Sequence, residues 1–268
     1  MEYEIGFLGY GRMARAISEG LDQSGVIPYR SQIVSGRDRR KLDQAAETFG
    51  VAPAADNRDL TRRAKVVLLG VKPKQVATAL EEIQDDLTEA QLIISMAAGV
   101  RLKNMARLLL QGVGLVRVMP NVAAMVGQGL TLACAAPGTT PAHLAKTREI
   151  FESVGQVVYL EEDLFDAGGA VSGSGPAYVF TFMESLVRGA VRQGLSWEAA
   201  RDMVLQTTLG AAAMAAQRPE ASLSQLRDMV TSPGGTTAEA LYILEKEGFG
   251  GTIQRALEAA VDKSRKLT

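Results

Sequence analysis

Histidine and cysteine are nearly missing from this chain of 268 residues, which holds one of each, His143 and Cys134. A single cysteine excludes an intrachain disulfide. Together the two leave too few soft ligands for a zinc site of the usual Cys/His kind, so no metal is expected. Nucleophile–base systems of the Ser–His–Asp or Cys–His type are equally hard to assemble. His143 lies in TTPAHLAKTREIF, where Thr and Pro ahead of an apolar-periodic run read as a capped surface helix. Whatever chemistry occurs is therefore expected to be borrowed from a cofactor.

An excess of either charge is also absent: 29 Lys and Arg stand against 30 Asp and Glu, for a net charge of −1. With no basic run and only 5% aromatic residues, the chain lacks both the electrostatic footprint and the stacking platforms of a nucleic-acid partner. Long apolar runs are missing too. The best, 177–191, is interrupted by Glu184 and Arg188 and falls short of the roughly 18 residues of a spanning helix, so no membrane partner is expected. The opening Met-Glu-Tyr-Glu has no basic n-region of a secretory signal, and with one cysteine this points to the cytoplasm.

What is present divides into two halves of different character. In roughly the first 130 residues, short apolar runs at 3–9, 32–36, 65–71, 91–96 and 113–120 read as strands. Helical runs separate them. Residues 12–24 place Met13, Ile17 and Leu21 on one face, and 38–50 carries Asp38 as a plausible N-cap and Gly50 as a stop. Segment 127–141 is expected to add an edge strand and a loop. Alternation of this kind predicts an α/β fold, a doubly wound parallel sheet of Rossmann type. After about residue 160 strand signals stop, and 162–194, 196–217, 222–230, 236–247 and 251–267 read as helices. The expected division is 1–160 and 161–268, the second part all-α and apolar enough to bury surface against a second copy.

The first strand runs into GYGRMA, giving Gly9, Gly11 and Ala14 the G-x-G-x-x-A spacing. The first glycine allows the tight turn, the second lets a pyrophosphate approach the backbone, and the small third residue lets helix pack on strand. The pyrophosphate then lies at a helix N-terminus, where unpaired N–H groups and the helix dipole favour an anion. The plainer reading is a tight turn into a helix, but the strand before and the amphipathic helix after are the context the motif requires. An NAD site usually has an acidic residue at the end of the second strand. Here Ser35 stands in that position, followed by Arg37, Arg39 and Arg40. A carboxylate would repel a 2′-phosphate whereas a hydroxyl and guanidinium groups attract it, so NADPH is expected over NADH, with NADH accepted more weakly. Taken singly, those arginines also read as the solvated start of a helix. The strand end Val71-Lys72-Pro73 and the small residues of 95–100 lie where an open α/β sheet presents its ligand.

Two glycine-rich segments mark the helical half. VSGSGPAYVF (171–180) reads as a helix–helix turn with Pro near the first helical position. TSPGGTTAEAL (231–241) puts Ser232, Gly234, Gly235, Thr236 and Thr237 ahead of a helix. Alone it reads equally as a capped helix with a flexible lead-in. Consecutive glycines at a helix start also expose N–H groups to a small carboxylate, and the threonine hydroxyls suit a carboxylate or a ring nitrogen.

The string VTSPGGTTAEALYILE resembles the signature of the pyrroline-5-carboxylate reductase family. VSGSGPAYVF, VRVMPNVAAMVGQG and GFLGYGRMARAI resemble other segments of that family in matching order, over essentially the whole chain. The resemblance implies a Rossmann domain, a helical dimerisation domain, a homodimer assembling further to a decamer, and the reduction of 1-pyrroline-5-carboxylate to L-proline that ends proline synthesis. It carries NADPH contacts over to Leu8, Gly9, Tyr10, Gly11, Arg12, Met13, Ser35, Arg37, Asn57, Gly70, Val71, Lys72, Pro73, Met96, Ala97 and Ala98. Substrate contacts carry over to Ser232, Gly234, Gly235, Thr236 and Thr237, with Thr237 catalytic, and to a glutamate that is Glu162 or its neighbour Glu161.

A protonated cyclic imine accepts hydride without a strong protein acid, which reconciles the implied reaction with the scarcity of histidine and cysteine. The nearest rival, a β-hydroxyacid dehydrogenase, needs a base, usually a Lys on a central helix, and 172–210 offers Arg188, Arg192 and Arg201 but no Lys. A reductase of other cyclic imines and an NADPH-sensing protein without turnover are the remaining alternatives. The latter would need the fold but not the SPGGTT loop.

Overall fold

The computed structural model describes residues 1–266. Its strands are β1 (Tyr3–Leu8), β2 (Gln32–Ser35), β3 (Ala52–Pro53), β4 (Ala64–Leu69), β5 (Leu92–Ser95), β6 (Gly114–Pro120), β7 (Gly129–Ala135) and β8 (Gly155–Tyr159). Interleaved with them are α1 (Arg12–Gln23), α2 (Arg39–Phe49), α3 (Asn57–Arg63), α4 (Val76–Ile83), α5 (Leu102–Ala106), α6 (Pro141–Glu152) and α7 (Phe165–Ser172). Then come α8 (Gly175–Arg192), α9 (Trp197–Ala216), α10 (Leu223–Met229), α11 (Thr236–Lys246) and α12 (Phe249–Arg265). The helix expected over 251–267 and the second domain's end at 268 run past the described residues.

The strands form one sheet in the order β3-β2-β1-β4-β5-β6-β7-β8. The chain moves outward from β1 in one direction, then returns to its other side at β4, so a crevice opens beyond the carboxyl ends of β1 and β4. Alternate residues of β4 feed two cores. Val66 and Leu68 join Ile17, Leu21, Ile150 and Phe151 on one face. Val67 and Leu69 join Leu60, Leu80, Ile83 and Phe165 on the other. A strand apolar on both faces is what a sheet covered by helices on both sides demands. Each such fully buried Leu or Ile contributes about 1.5–3 kcal/mol.

The helix ends follow local chemistry. The Asp38 carboxylate accepts from Lys41 N at 3.4 Å, and Gly50 closes α2 at φ 81°. Before α6, Thr140 Oγ1 accepts from His143 N at 3.2 Å.

Three details depart from expectation. Segment 127–141 is not an edge: β7 lies second from the end, antiparallel to β6, and β8 forms the edge beyond it. Strand β8 escapes a search for apolar runs because the sheet buries only one of its faces, leaving Val158 exposed while Val157 is buried. The helical stretch 162–194 is interrupted near Gly173, with α7 ending at Ser172 and α8 beginning at Gly175.

Two compact units can be distinguished: Met1–Gly173 together with the chain end from Val261, and Ser174–Ala260. In the second, α8 and α9 pack on Val187, Ala200 and Val204. Among the described residues no helix is long and apolar enough to cross a membrane.

Candidate active site

Strand β1 ends at Leu8, and Gly9 turns the chain at φ 96°, a left-handed conformation that only glycine adopts without strain. The turn carries the backbone against the end of β4: Gly70 N donates to Leu8 O at 2.8 Å, and Gly9 N donates to Ser35 O at 3.0 Å. A Cβ on Gly9 would lie 2.9 Å from the Gly70 carbonyl carbon. Gly11 then caps α1 with no side-chain acceptor, and a Cβ there would meet nothing within 4 Å. The first N–H groups of α1 are thus uncapped and open, which is the cradle a pyrophosphate requires. Arg12, exposed at the first helical position, has no acidic residue in its turn to oppose it. A lone cation at the positive end of a helix is unfavourable unless an anion is bound there.

Several expected residues converge beside this turn. Met13, Gly70, Val71, Met96 and Ala98 line a cleft of about 270 Å³, joined by Met119 and Pro120 at the end of β6. The last two lie in VRVMPNVAAMVGQG, a segment tied to the family resemblance without a role. The signal that reaches them is topological: β6 neighbours β5, so its carboxyl end opens on the same crevice. Lys72 and Pro73 lie just beyond Val71, both exposed, with Pro73 starting a short turn of 3-10 helix.

Other expected contacts offer only backbone to a ligand. Leu8 and Ala97 are buried in the sheet's core. The Tyr10 hydroxyl shares a 2.8 Å hydrogen bond with Ser18 Oγ, and the Ser18 hydroxyl donates to Gln32 Oε1 at 2.5 Å, so the ring folds back along α1. Burial pushes the Tyr10 hydroxyl above its ordinary pKa. At the end of β2, Ser35 is buried and donates to Asn57 Oδ1 at 2.8 Å, while Arg37 is exposed and has no ion pair among the described residues.

Glu162 is half-buried and pairs with a buried arginine of β6. One carboxylate oxygen accepts from Arg117 Nη1 at 2.8 Å and from Leu102 N at 2.7 Å, so it both neutralises a buried cation and caps α5. Arg117, only 7% exposed, also lies 4.8 Å over the Phe165 ring. Glu161 precedes it without capping the turn that follows. Glu162→Ala should cost about 3 kcal/mol in denaturant unfolding, because it strands a buried guanidinium. A loss under about 0.5 kcal/mol, as at an ordinary surface position, would show that the pair is dispensable. Nearby Cys134 is buried, and its thiol is pushed up to about 12, first by burial and then by the Glu162 charge, so it is no nucleophile at neutral pH. His143 faces Gly114 with Nδ1 buried and unpartnered, and burial lowers its pKa.

In the second unit, Gly235 N donates to Ser232 O at 3.0 Å across a turn with Pro233 and then Gly234 at φ 67°. Proline followed by a left-handed glycine is the pattern of a type II turn. Gly235 caps α11 without a side chain, so the N–H groups of Thr236, Thr237 and Ala238 begin the helix uncapped. The Ser232, Thr236 and Thr237 hydroxyls have no hydrogen-bond partner among the described residues.

Comparison with known proteins finds relatives along the whole chain. Residues 162–267 match the model for pyrroline-5-carboxylate reductase dimerisation, and residues 4–99 match that for NADP oxidoreductase, coenzyme F420-dependent. Pyrroline-5-carboxylate reductase of Pisum sativum is 38% identical over 269 residues, covering 99% of this chain and 96% of the relative. Among solved structures, a pyrroline-5-carboxylate reductase from Coxiella burnetii superposes with TM-score 0.93 at 39% identity, covering 100% of this chain and 99% of the other. The Plasmodium falciparum pyrroline carboxylate reductase, solved with NADP bound, gives TM-score 0.86 at 31% identity, covering 100% and 99%.

Proposed function

The chain belongs to the pyrroline-5-carboxylate reductase family, and on that premise we propose that it reduces the C=N bond of 1-pyrroline-5-carboxylate to L-proline with NADPH as the preferred donor. The observation that carries the donor site is the open Gly11 cradle beside the Gly9–Gly70 contact. The residues present fit a dinucleotide: bare N–H groups for the pyrophosphate, and a cleft of small and flexible side chains for the nicotinamide. The exposed, unpaired Arg37 and the lack of a carboxylate at the end of β2 support the 2′-phosphate. NADH is the weaker donor in this reading.

When bound, the nicotinamide supplies the hydride. The chain's own work is placement. The N–H groups opening α11 and the Gly234–Gly235 backbone grip the substrate carboxylate, with Ser232 and Thr236 hydroxyls beside them. The Thr237 hydroxyl accepts from the protonated ring nitrogen and fixes the orientation of the imine. Met13, Met96 and Met119 line the cleft that takes the nicotinamide and shield its ring from water. Alignment of this kind supplies roughly 7–11 kcal/mol in favourable cases. No protein acid is required, since the imine arrives protonated.

The second unit exposes Phe180, Phe182, Leu209, Tyr242 and Ile243 on a body whose buried apolar side chains are only Val187, Ala200, Val204 and Leu226 among the described residues. That supports a homodimer through this half, while assembly to a decamer rests on the resemblance and a cytoplasmic location on the single cysteine and on opening residues unlike a secretory signal. The dehydrogenase alternative still lacks its base, because α8 and α9 contain no Lys. The test is loss of 340 nm absorbance with five- and six-membered cyclic imino acids and each dinucleotide. Oxidation of NADPH by 1-pyrroline-5-carboxylate is expected. Turnover only with bulkier imines, or none, would overturn the assignment.

A further inference from the structure

We propose that Glu82, acting through Asn57, limits how strongly this chain prefers NADPH over NADH. The inference rests on reading the end of β2 as the site of the adenosine ribose. Ser35 Oγ donates to Asn57 Oδ1 at 2.8 Å, and Asn57 Nδ2 donates to Glu82 Oε2, on α4, at 2.7 Å. Each step follows from what the groups can do. An ionised carboxylate only accepts, so the Asn57 amide turns its NH2 toward Glu82 and its oxygen away. That oxygen also only accepts, so it takes the one proton of the Ser35 hydroxyl.

With the proton spent, Ser35 and the Asn57 oxygen offer lone pairs at the end of β2. A ribose 2′-hydroxyl donates to a lone pair. A 2′-phosphate, which carries about −1.5 to −2 charge at pH 7, needs donors instead. Turning the Asn57 amide over would present Nδ2 to the phosphate and free the Ser35 proton. It would also set Oδ1 against the Glu82 carboxylate, two acceptors with no proton between them. Glu82 is therefore a latch that holds the pair in its 2′-hydroxyl form, while the unpaired Arg37 guanidinium pulls toward the phosphate. Selectivity is the difference between these two preferences. Glu82 is a positioning residue here, exposed and on α4, whereas the groups it governs lie on β2 and α3.

The test is calorimetric binding of NADP+, NAD+, 2′-AMP and 5′-AMP to the full-length protein and its variants, with thermal unfolding alongside. Glu82→Ala should raise the affinity ratio of NADP+ over NAD+ by about tenfold, the scale of one charge-assisted hydrogen bond, and 2′-AMP should tighten relative to 5′-AMP. Glu82→Asp keeps the charge but shortens the reach, and should raise the ratio similarly. In an Asn57→Ala background, Glu82→Ala should leave the ratio unmoved. An unchanged ratio in Glu82→Ala, an equal loss of both dinucleotides, or the same shift with Asn57 absent would each overturn the latch. Failure of the parent protein to bind either dinucleotide would instead sink the cofactor site itself.

Discussion

Gly11→Val should fold as the parent does and bind neither NADP+ nor NAD+ measurably. Two glycines of one motif separate here. At Gly9, φ is 96° and an added Cβ would press on the Gly70 carbonyl, so a side chain there damages the turn as well as the site. At Gly11 the backbone is extended, φ −82° and ψ −173°, which valine adopts without strain, and its Cβ would meet no protein atom within 4 Å. The space it enters is the approach to the uncapped N–H groups of α1. Displacing an anion from two such donors loses about 1.5–3 kcal/mol each, hence on the order of a hundredfold or more in affinity. Exchanging Gly for Val at an N-cap costs about 1 kcal/mol of stability. Calorimetry should thus show lost dinucleotide binding with Tm lowered by only about 2–4 °C. Near-parental NADP+ affinity in the folded variant would mean that the pyrophosphate does not lie over Gly11.

Those two glycines also show which parts of the molecule were legible in sequence. Spacing alone placed the turn between strand and helix, because the motif is local and each residue in it has one physical task. The apolar run of β4 and the caps at Asp38 and Thr140 were readable for the same reason. What escaped depends on partners distant along the chain. Strand β7 runs antiparallel because β6 reaches it through the short connection 121–128, and β8 is recognisable only once β7 is there to pair with it. Met119 and Pro120 enter the cleft because β6 neighbours β5, an adjacency that no local pattern encodes.

Ser35 and Glu162 make the same point at single residues. Ser35 is legible as a non-acidic end of β2, but its hydroxyl is already committed to Asn57, which lies 22 residues away. Glu162 stands beside the boundary between halves, where its partners cannot be read locally. Its carboxylate is held by Arg117 and by the start of α5, each long separated from it in sequence. A charge whose partner is remote looks free until the fold brings the two together.

Thr237→Val should bind NADPH as tightly as the parent and lower kcat by about 10- to 100-fold. Valine copies the shape of threonine and keeps the first turn of α11 intact, so the variant removes one hydroxyl and little else. The N–H groups that would grip the carboxylate belong to the backbone and survive, so KM for the imine should move far less than kcat. In the proposed mechanism the hydroxyl faces a ring nitrogen that is charged before transfer and must keep its orientation through it. A hydrogen bond to such a charged group is worth about 1.5–3 kcal/mol, which corresponds to the expected drop in rate. Gly234→Ala attacks the other half of the grip. At φ 67° an alanine is strained, so the turn before α11 should shift, raising KM for the imine while leaving dinucleotide affinity alone. Steady-state kinetics with 1-pyrroline-5-carboxylate, paired with NADP+ titration, separates the two effects. A parental kcat in Thr237→Val removes that hydroxyl from the mechanism. A parental KM in Gly234→Ala does the same for the turn, because the carboxylate would then have to be held by other groups.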